Sequence, residues 1–114
     1  MILLPPNFQV YLAVGSTDMR KSINGLSAIV VDEFELDPFS GSLFAFCNRG
    51  RKIIKILFWD KNGFCSWHKR LEKEHFSWPK SDQDIVPIDS QQMSWLLAGL
   101  DIGKAHKQLF YSEI

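Results

Sequence analysis

Between Ser42 and Pro79 the chain repeats one unit: a short apolar or aromatic run followed by a turn signal. The runs are "SLFAFC" (42–47), "KIIKILFW" (52–59), "FCSWHKRL" (64–71) and "HFSWP" (75–79), joined by "NRGR", "DKNG" and "EKE". Runs this short, rich in Ile, Phe and Trp and bounded by Gly, Asn and charged residues, read as strands rather than helices. Connections of that length leave no room for a crossover helix, so consecutive strands are expected to pair antiparallel, as a meander.

The flanks supply the remaining elements. "FQVYLAVG" reads as a strand from about 9 to 14 that ends at a Gly. Ser16, Thr17 or Asp18 then caps a helix expected over 18–34, with Met19, Ile23, Leu26, Ile29, Val30 and Phe34 recurring at steps of three and four. Gly25 inside it implies either close packing against a neighbour or simple tolerance. "LDPFSG" is a turn by its Asp-Pro and Ser-Gly pairs. Ser90 is the expected cap of a second helix over 90–100, with Met93, Leu96, Leu97 and Leu100 on one side and a stop at Gly99 or Gly103. The last stretch, "DIGKAHKQLFYSEI", has no clear period and is expected to pack on the domain or on another protein. At 114 residues the length favours one domain. The expected fold is therefore α+β: a single domain in which an antiparallel meander of about five strands packs its apolar face against two main helices.

Charge says more by its distribution than by its total. Net charge is zero, but Arg49 to Lys80 holds nine cations against three acids, while "VDEFELD" (31–37) and "SDQDIVPID" (81–89) hold only acids. "MILLPPNF" is apolar for four residues before two prolines and lacks a basic lead, so neither a signal peptide nor a membrane span is expected there. Two cysteines do not make a secreted disulfide scaffold, and Cys47 and Cys65 read as buried thiols of a cytoplasmic protein.

Chemistry is sparse. Cys47, Cys65, His68 and His75 match none of the usual zinc spacings. Neither GxGxxG nor GxxxxGK[ST] occurs, so no nucleotide cofactor is expected, and no GxSxG elbow marks a nucleophile. Asp18, Asp60, Asp82, Asp84, Asp89 and Asp101 are scattered, mostly where Asp is favoured at caps and turns. Binding is better supported. Cations and aromatics interleave across "RGRKIIKILFWDKNGFCSWHKRL", the pattern of a sheet that offers Arg and Lys to phosphates. The same alternation also describes an ordinary strand with one core face and one solvated face. A second cue is "TDMRKSINGL", where Arg20 and Lys21 fall in the expected first helical turn. Cations there oppose the helix dipole and call for an anion, either a bound phosphate or an internal acid such as Asp18 or Glu72.

Taken together, "YLAVGSTDMRKSINGLSAIV", "DPFSGSLFAFCNRGR", "IKILFWDKNGFCSWHKRLEKEHFSWP" and "WLLAGLDI" closely resemble the accessory protein, labelled TnpB or Orf2-like, of IS66-type bacterial insertion sequences. Thr17 to Lys21 fit its TDMRK motif and Asp37 to Gly41 its DPFSG motif. Lys55, Trp59, Asp60, Lys69, Arg70, Leu71, Glu72, Trp78 and Pro79 fit its KILYWD, KRLE and FxWP motifs. Two departures are Gly50, where another basic residue is expected, and Phe58 in place of a common Tyr.

The resemblance implies a part in DNA transposition beside a separate, larger transposase that carries the catalytic acids. The chain is accordingly expected to be a non-catalytic, cytoplasmic accessory protein that needs no cofactor and binds no membrane. Its expected partners are element-end DNA, the transposase, or both, with homodimerisation through an exposed sheet edge as a further option. The DNA-contacting candidates are Arg20, Lys21, Arg49, Arg51, Lys52, Lys55, Lys69 and Arg70. Two other readings stay open: a protein-interaction module without DNA affinity, suggested by the four Trp and the apolar "QLFYSEI", and a small hydrolase or nuclease.

Overall fold

A computed structural model describes residues 8–99. The expectations for residues 1–7, for Leu100 and for the C-terminal segment 101–114 lie outside the described residues. The elements in chain order are β1 (Val10–Ser16), α1 (Ile23–Asp32), β2 (Leu43–Cys47), β3 (Ile53–Asp60), β4 (Gly63–Arg70), β5 (Ile85–Ile88) and α2 (Ser90–Leu97). They build one five-stranded sheet in the order β4-β3-β2-β1-β5.

The meander is present in β2, β3 and β4, whose neighbours pair antiparallel. The sheet as a whole is mixed, which corrects the expectation of a purely antiparallel one: β1 lies parallel to β2, with Val10 opposite Leu43. A parallel neighbour needs a crossover of roughly a dozen residues or more, and α1 with its flanking loops supplies it. The fifth strand is also a different segment. "HFSWP" forms no strand, and β5 pairs antiparallel with β1 at the other edge.

Both faces of the sheet are covered, one helix to each, which corrects the expectation that both helices cover a single apolar face. β2 shows why: all five of its residues are buried, and they alternate between two clusters. Leu43, Ala45 and Cys47 join Ile54, Ile56, Val10, Leu12 and Ile88 under Met93 and Leu96 of α2. Phe44 and Phe46 join Ala13 and Leu57 under Leu26 and Val30 of α1. A strand buried on both sides reads as a continuous apolar run, and "LFAFC" is one.

The stretch after β4 crosses the α2 face to reach β5, and Phe76 and Trp78 bury themselves there on the way. Its backbone is spent on the crossing rather than on a ladder. Trp78 has a second task. β1 breaks register with β2 between Leu12 and Ser16, and at that irregularity Trp78 Nε1 donates to the Ala13 carbonyl at 2.8 Å. A buried carbonyl freed from a ladder must find a donor, and here it is an indole.

Both helices start differently from the sequence expectation. α1 begins after Ser22 rather than at Asp18, because the chain first makes a tight turn in which the Lys21 N–H donates to the Asp18 carbonyl. α2 is capped by Asp89 rather than Ser90. The Asp89 carboxylate accepts from the Gln92 N–H at 2.8 Å while the Gln92 amide oxygen accepts from the Asp89 N–H, a reciprocal capping box. The helix stops at Gly99, whose φ of +85° suits glycine. Among the described residues no helix is long and apolar enough to cross a membrane.

Candidate nucleic-acid interface

The strand registers bring the cationic motifs to one end of the sheet. β1 and β2 finish there, the Asn48–Lys52 hairpin turns there, β3 starts there, and β4 ends there with Arg70 opposite Ile53. Two backbone bonds tie this end together: the Thr17 N–H donates to the Cys47 carbonyl, and the Leu71 N–H to the Lys52 carbonyl. The Asn48 side chain closes the hairpin by accepting from the Lys52 and Ile53 N–H groups at 2.9 and 3.0 Å. Arg49 stands exposed at its tip, and Lys52, half-buried, opens onto β3.

The eight candidate cations divide into three groups by what they touch. Arg51, Lys55 and Lys69 are spent on backbone carbonyls. Arg51 Nη2 donates to Val14 O at 3.1 Å, and the guanidinium carbon lies 5.8 Å from the centre of the Trp78 ring. Lys55 Nζ donates to Met19 O at 2.7 Å and Lys21 O at 3.1 Å, which fastens the TDMRK loop over the α1 side of β3. Lys69 Nζ donates to Leu97 O at 3.0 Å, a cation on the last carbonyls of α2, where dipole and side-chain charge agree. Arg20 and Arg70 form the second group, paired with Asp18 and Glu72 at 2.7 and 3.1 Å. The third group, Lys21, Arg49 and Lys52, has no side-chain hydrogen bond or ion pair among the described residues.

Arg20 and Lys21 lie before the first turn of α1, not inside it as the sequence suggested, so the dipole penalty does not fall on them. Asp18 is the internal anion. It accepts from the Arg20 backbone N–H, from Nε and from Nη2, and these bonds hold its carboxyl down at about 2. The pair is open to water, with 92% of the Arg20 side chain exposed, so it stabilises the fold little. Gly25 has its explanation in the same loop: a Cβ there would meet Lys21 Cβ at 3.2 Å.

Beside the cations lies a feature that the sequence did not indicate. A cleft of about 500 Å³ opens between the end of β1 and α1, lined by Ser16, Thr17, Asp18 and Lys21 with Glu33 and Asp84 opposite. The acids come from the two segments read as acidic flanks, so the charge at this end runs from basic at β4 and β3 to acidic at β5. Also unanticipated is an aromatic cluster on the α1 face: Phe39, Trp59 and Phe64 hold their rings about 5 Å apart, and Phe39 is 57% exposed. Phe39 and Trp59 belong to the DPFSG and KILYWD motifs, which was the available signal.

The residues weighed as metal ligands do not converge. Cys47 is buried under α2, while His68 lies opposite Lys55 on the α1 face, exposed. Burial pushes the Cys47 thiol up, against the pull of the nearby Arg51 guanidinium. Both cysteines are free, Cys47 buried as expected but Cys65, on edge strand β4, only half-buried, and among the described residues no group of three or more His, Cys, Asp or Glu is placed to hold a metal.

What these features define is a small α+β domain with a mixed sheet covered on both faces and a cationic rim at one sheet end. The model of the IS66 Orf2-like protein family matches residues 8–107, and the chain belongs to that family. It is similar to two relatives from Sinorhizobium fredii (strain NBRC 101917 / NGR234). The uncharacterized protein y4hO is 36% identical over 95 residues, 83% of each chain. The uncharacterized protein y4jC is 29% identical over 93 residues, 82% of this chain and 80% of its own. No solved structure matches.

Proposed function

We propose that the chain is a non-catalytic accessory protein of IS66-type transposition that grips DNA phosphates with the rim of Lys21, Arg49 and Lys52, flanked by Arg20 and Arg70. The observation that carries this reading is the convergence of cations from three separate motifs at one sheet end, three of them without a side-chain partner among the described residues. Exposed pairs such as Arg20–Asp18 and Arg70–Glu72 are weak, so a phosphate competes with the acid for the guanidinium at little cost.

Titrating the purified protein into element-end DNA and a scrambled duplex of equal length, at two salt concentrations, tests it. Salt-sensitive binding is expected, tighter on the ends if the rim also reads sequence. A second reading, a module that binds only the transposase, is favoured by the exposed Phe39, whose ring packs on the half-buried Trp59 and Phe64. Absence of DNA binding at low salt together with salt-resistant co-purification with the transposase would replace the first reading by the second.

A further inference from the structure

We infer that the free edge of β4 pairs with β4 of a second copy of this chain, joining the two sheets across a twofold axis at Trp67. The argument begins with which backbone groups are spare. The Leu71 N–H donates to the Lys52 carbonyl, so residue 71 faces β3; by the alternation of antiparallel ladders, so do Lys69, Trp67, Cys65 and Gly63. The N–H and C=O groups of Phe64, Ser66, His68 and Arg70 therefore point outward, and β4 is a terminal strand of the sheet among the described residues.

The two sheet edges differ in protection. β5 spans only Ile85–Ile88 and carries Pro87, which has no N–H to offer. β4 spans Gly63–Arg70 without a proline or a break in its register with β3. Among the described residues it is the longer edge and the one that no proline interrupts.

Self-pairing also fits the side chains in one register. With Trp67 opposite its copy, all four outward residues find hydrogen-bonding partners: Phe64 with Arg70, Ser66 with His68, and the reverse. The aromatic end of one strand meets the cationic end of the other, so no like charges stand opposed and each Arg70 lies by a Phe64 ring. Sliding the copy by two residues sets His68 against His68 and drops Phe64, or sets Ser66 against Ser66 and drops Arg70. Sliding by one mates outward groups with inward ones. The axis runs perpendicular to the sheet, so both α1 layers lie on one side. This inference does not depend on DNA binding.

Light scattering of the wild-type chain over a range of concentrations is expected to give twice the chain mass. His68→Pro, which removes an outward N–H and leaves the β3 ladder intact, is expected to return it to a single chain mass with its melting transition retained. Because a proline variant can fail to fold, Lys69→Cys provides an independent readout. Residues 65 and 69 are opposed across the axis, at a separation that suits a disulfide, yet too far apart along one strand to bond within a chain. Oxidation is expected to yield a covalent dimer with Cys65, absent in Cys65→Ser/Lys69→Cys. The inference is overturned by a single chain mass at every concentration with no covalent dimer, or by a dimer that persists in folded His68→Pro. A monomer whose Ser66 and His68 amides resist hydrogen exchange would assign the edge to residues outside 8–99, and would overturn it equally.

Discussion

Arg49 and Arg51 stand two positions apart in one hairpin and do opposite things. Arg51, at φ +59°, turns its guanidinium inward to Val14 O and the Trp78 ring, while Arg49 stands in water. Composition shows both as cations; only the position of the Val14 carbonyl, in the stretch where β1 breaks register with β2, decides which one is consumed. That carbonyl depends on pairing between distant segments, so the sequence marked the rim's residue types but not which of them remain available. The Arg20–Asp18 pair can be read by pH. A carboxyl depressed in the folded state adds stability above its ordinary value and loses it as pH falls through the folded value. For Asp18 that window runs from its ordinary 3.8 down to about 2. A carbon-13 titration of the Asp18 carboxyl is expected to show a midpoint near 2 in the wild type and a higher one in Arg20→Ala, still below 3.8 because the backbone N–H of residue 20 continues to donate to it. Equal midpoints would mean that the pair does not persist in solution. Since both groups are exposed, the melting temperature is expected to change little.

At the scale of elements, what could be read was local and what was missed was not. The hairpins around "NRGR" and "DKNG" follow from turn residues between apolar runs, and β2, β3 and β4 fall within two residues of their expected bounds. β5 was hidden because Pro87 and the surrounding acids argue against a strand; an edge position next to β1 tolerates both. "HFSWP" has strand-like residues, yet its Phe and Trp fill the core from a crossing segment. The run "LFAFC" did carry the information that β2 is covered on both faces, and with it the separation of the helices to opposite sides. Helix ends remain the least determined. The turn after α1 holds Glu35 at φ +55°, two residues beyond the Glu33 cap, a conformation that costs an L-residue about 1 kcal/mol or more and glycine almost nothing. After the greater unfolded-state freedom of glycine is subtracted, Glu35→Gly is expected to stabilise the protein by roughly 0.5 kcal/mol. Denaturant unfolding checks this, and a lower midpoint would mean that the Glu35 side chain contributes a contact of its own.

Across the whole molecule, zero net charge conceals an ordered separation. The sheet order β4-β3-β2-β1-β5 sets the basic strands at one edge and the acid-flanked β5 at the other, so one sheet end carries both a cationic rim and the cleft holding Glu33 and Asp84. Within that rim the cations have two separable jobs, which gives contrasting expectations. Arg49→Ala with Lys52→Ala removes two cations whose side chains form no hydrogen bond or ion pair among the described residues. The salt slope of DNA binding is expected to fall in magnitude by about 1.8, since each phosphate contact contributes about 0.9. Stability is expected to stay within about 0.5 kcal/mol. Lys55→Met removes a charged donor from two carbonyls that anchor the TDMRK loop, so stability is expected to fall by about 1–3 kcal/mol. Its effect on DNA is indirect: Lys21 and Arg20 lose their fixed position, which weakens affinity, while the number of cations at the rim and hence the salt slope stay nearly unchanged. Binding isotherms at several salt concentrations, paired with thermal melts of each variant, separate the two behaviours. If Lys55→Met flattened the slope as much as the hairpin pair did without loss of stability, Lys55 would be a phosphate contact, and the distinction between anchoring and gripping cations would fall.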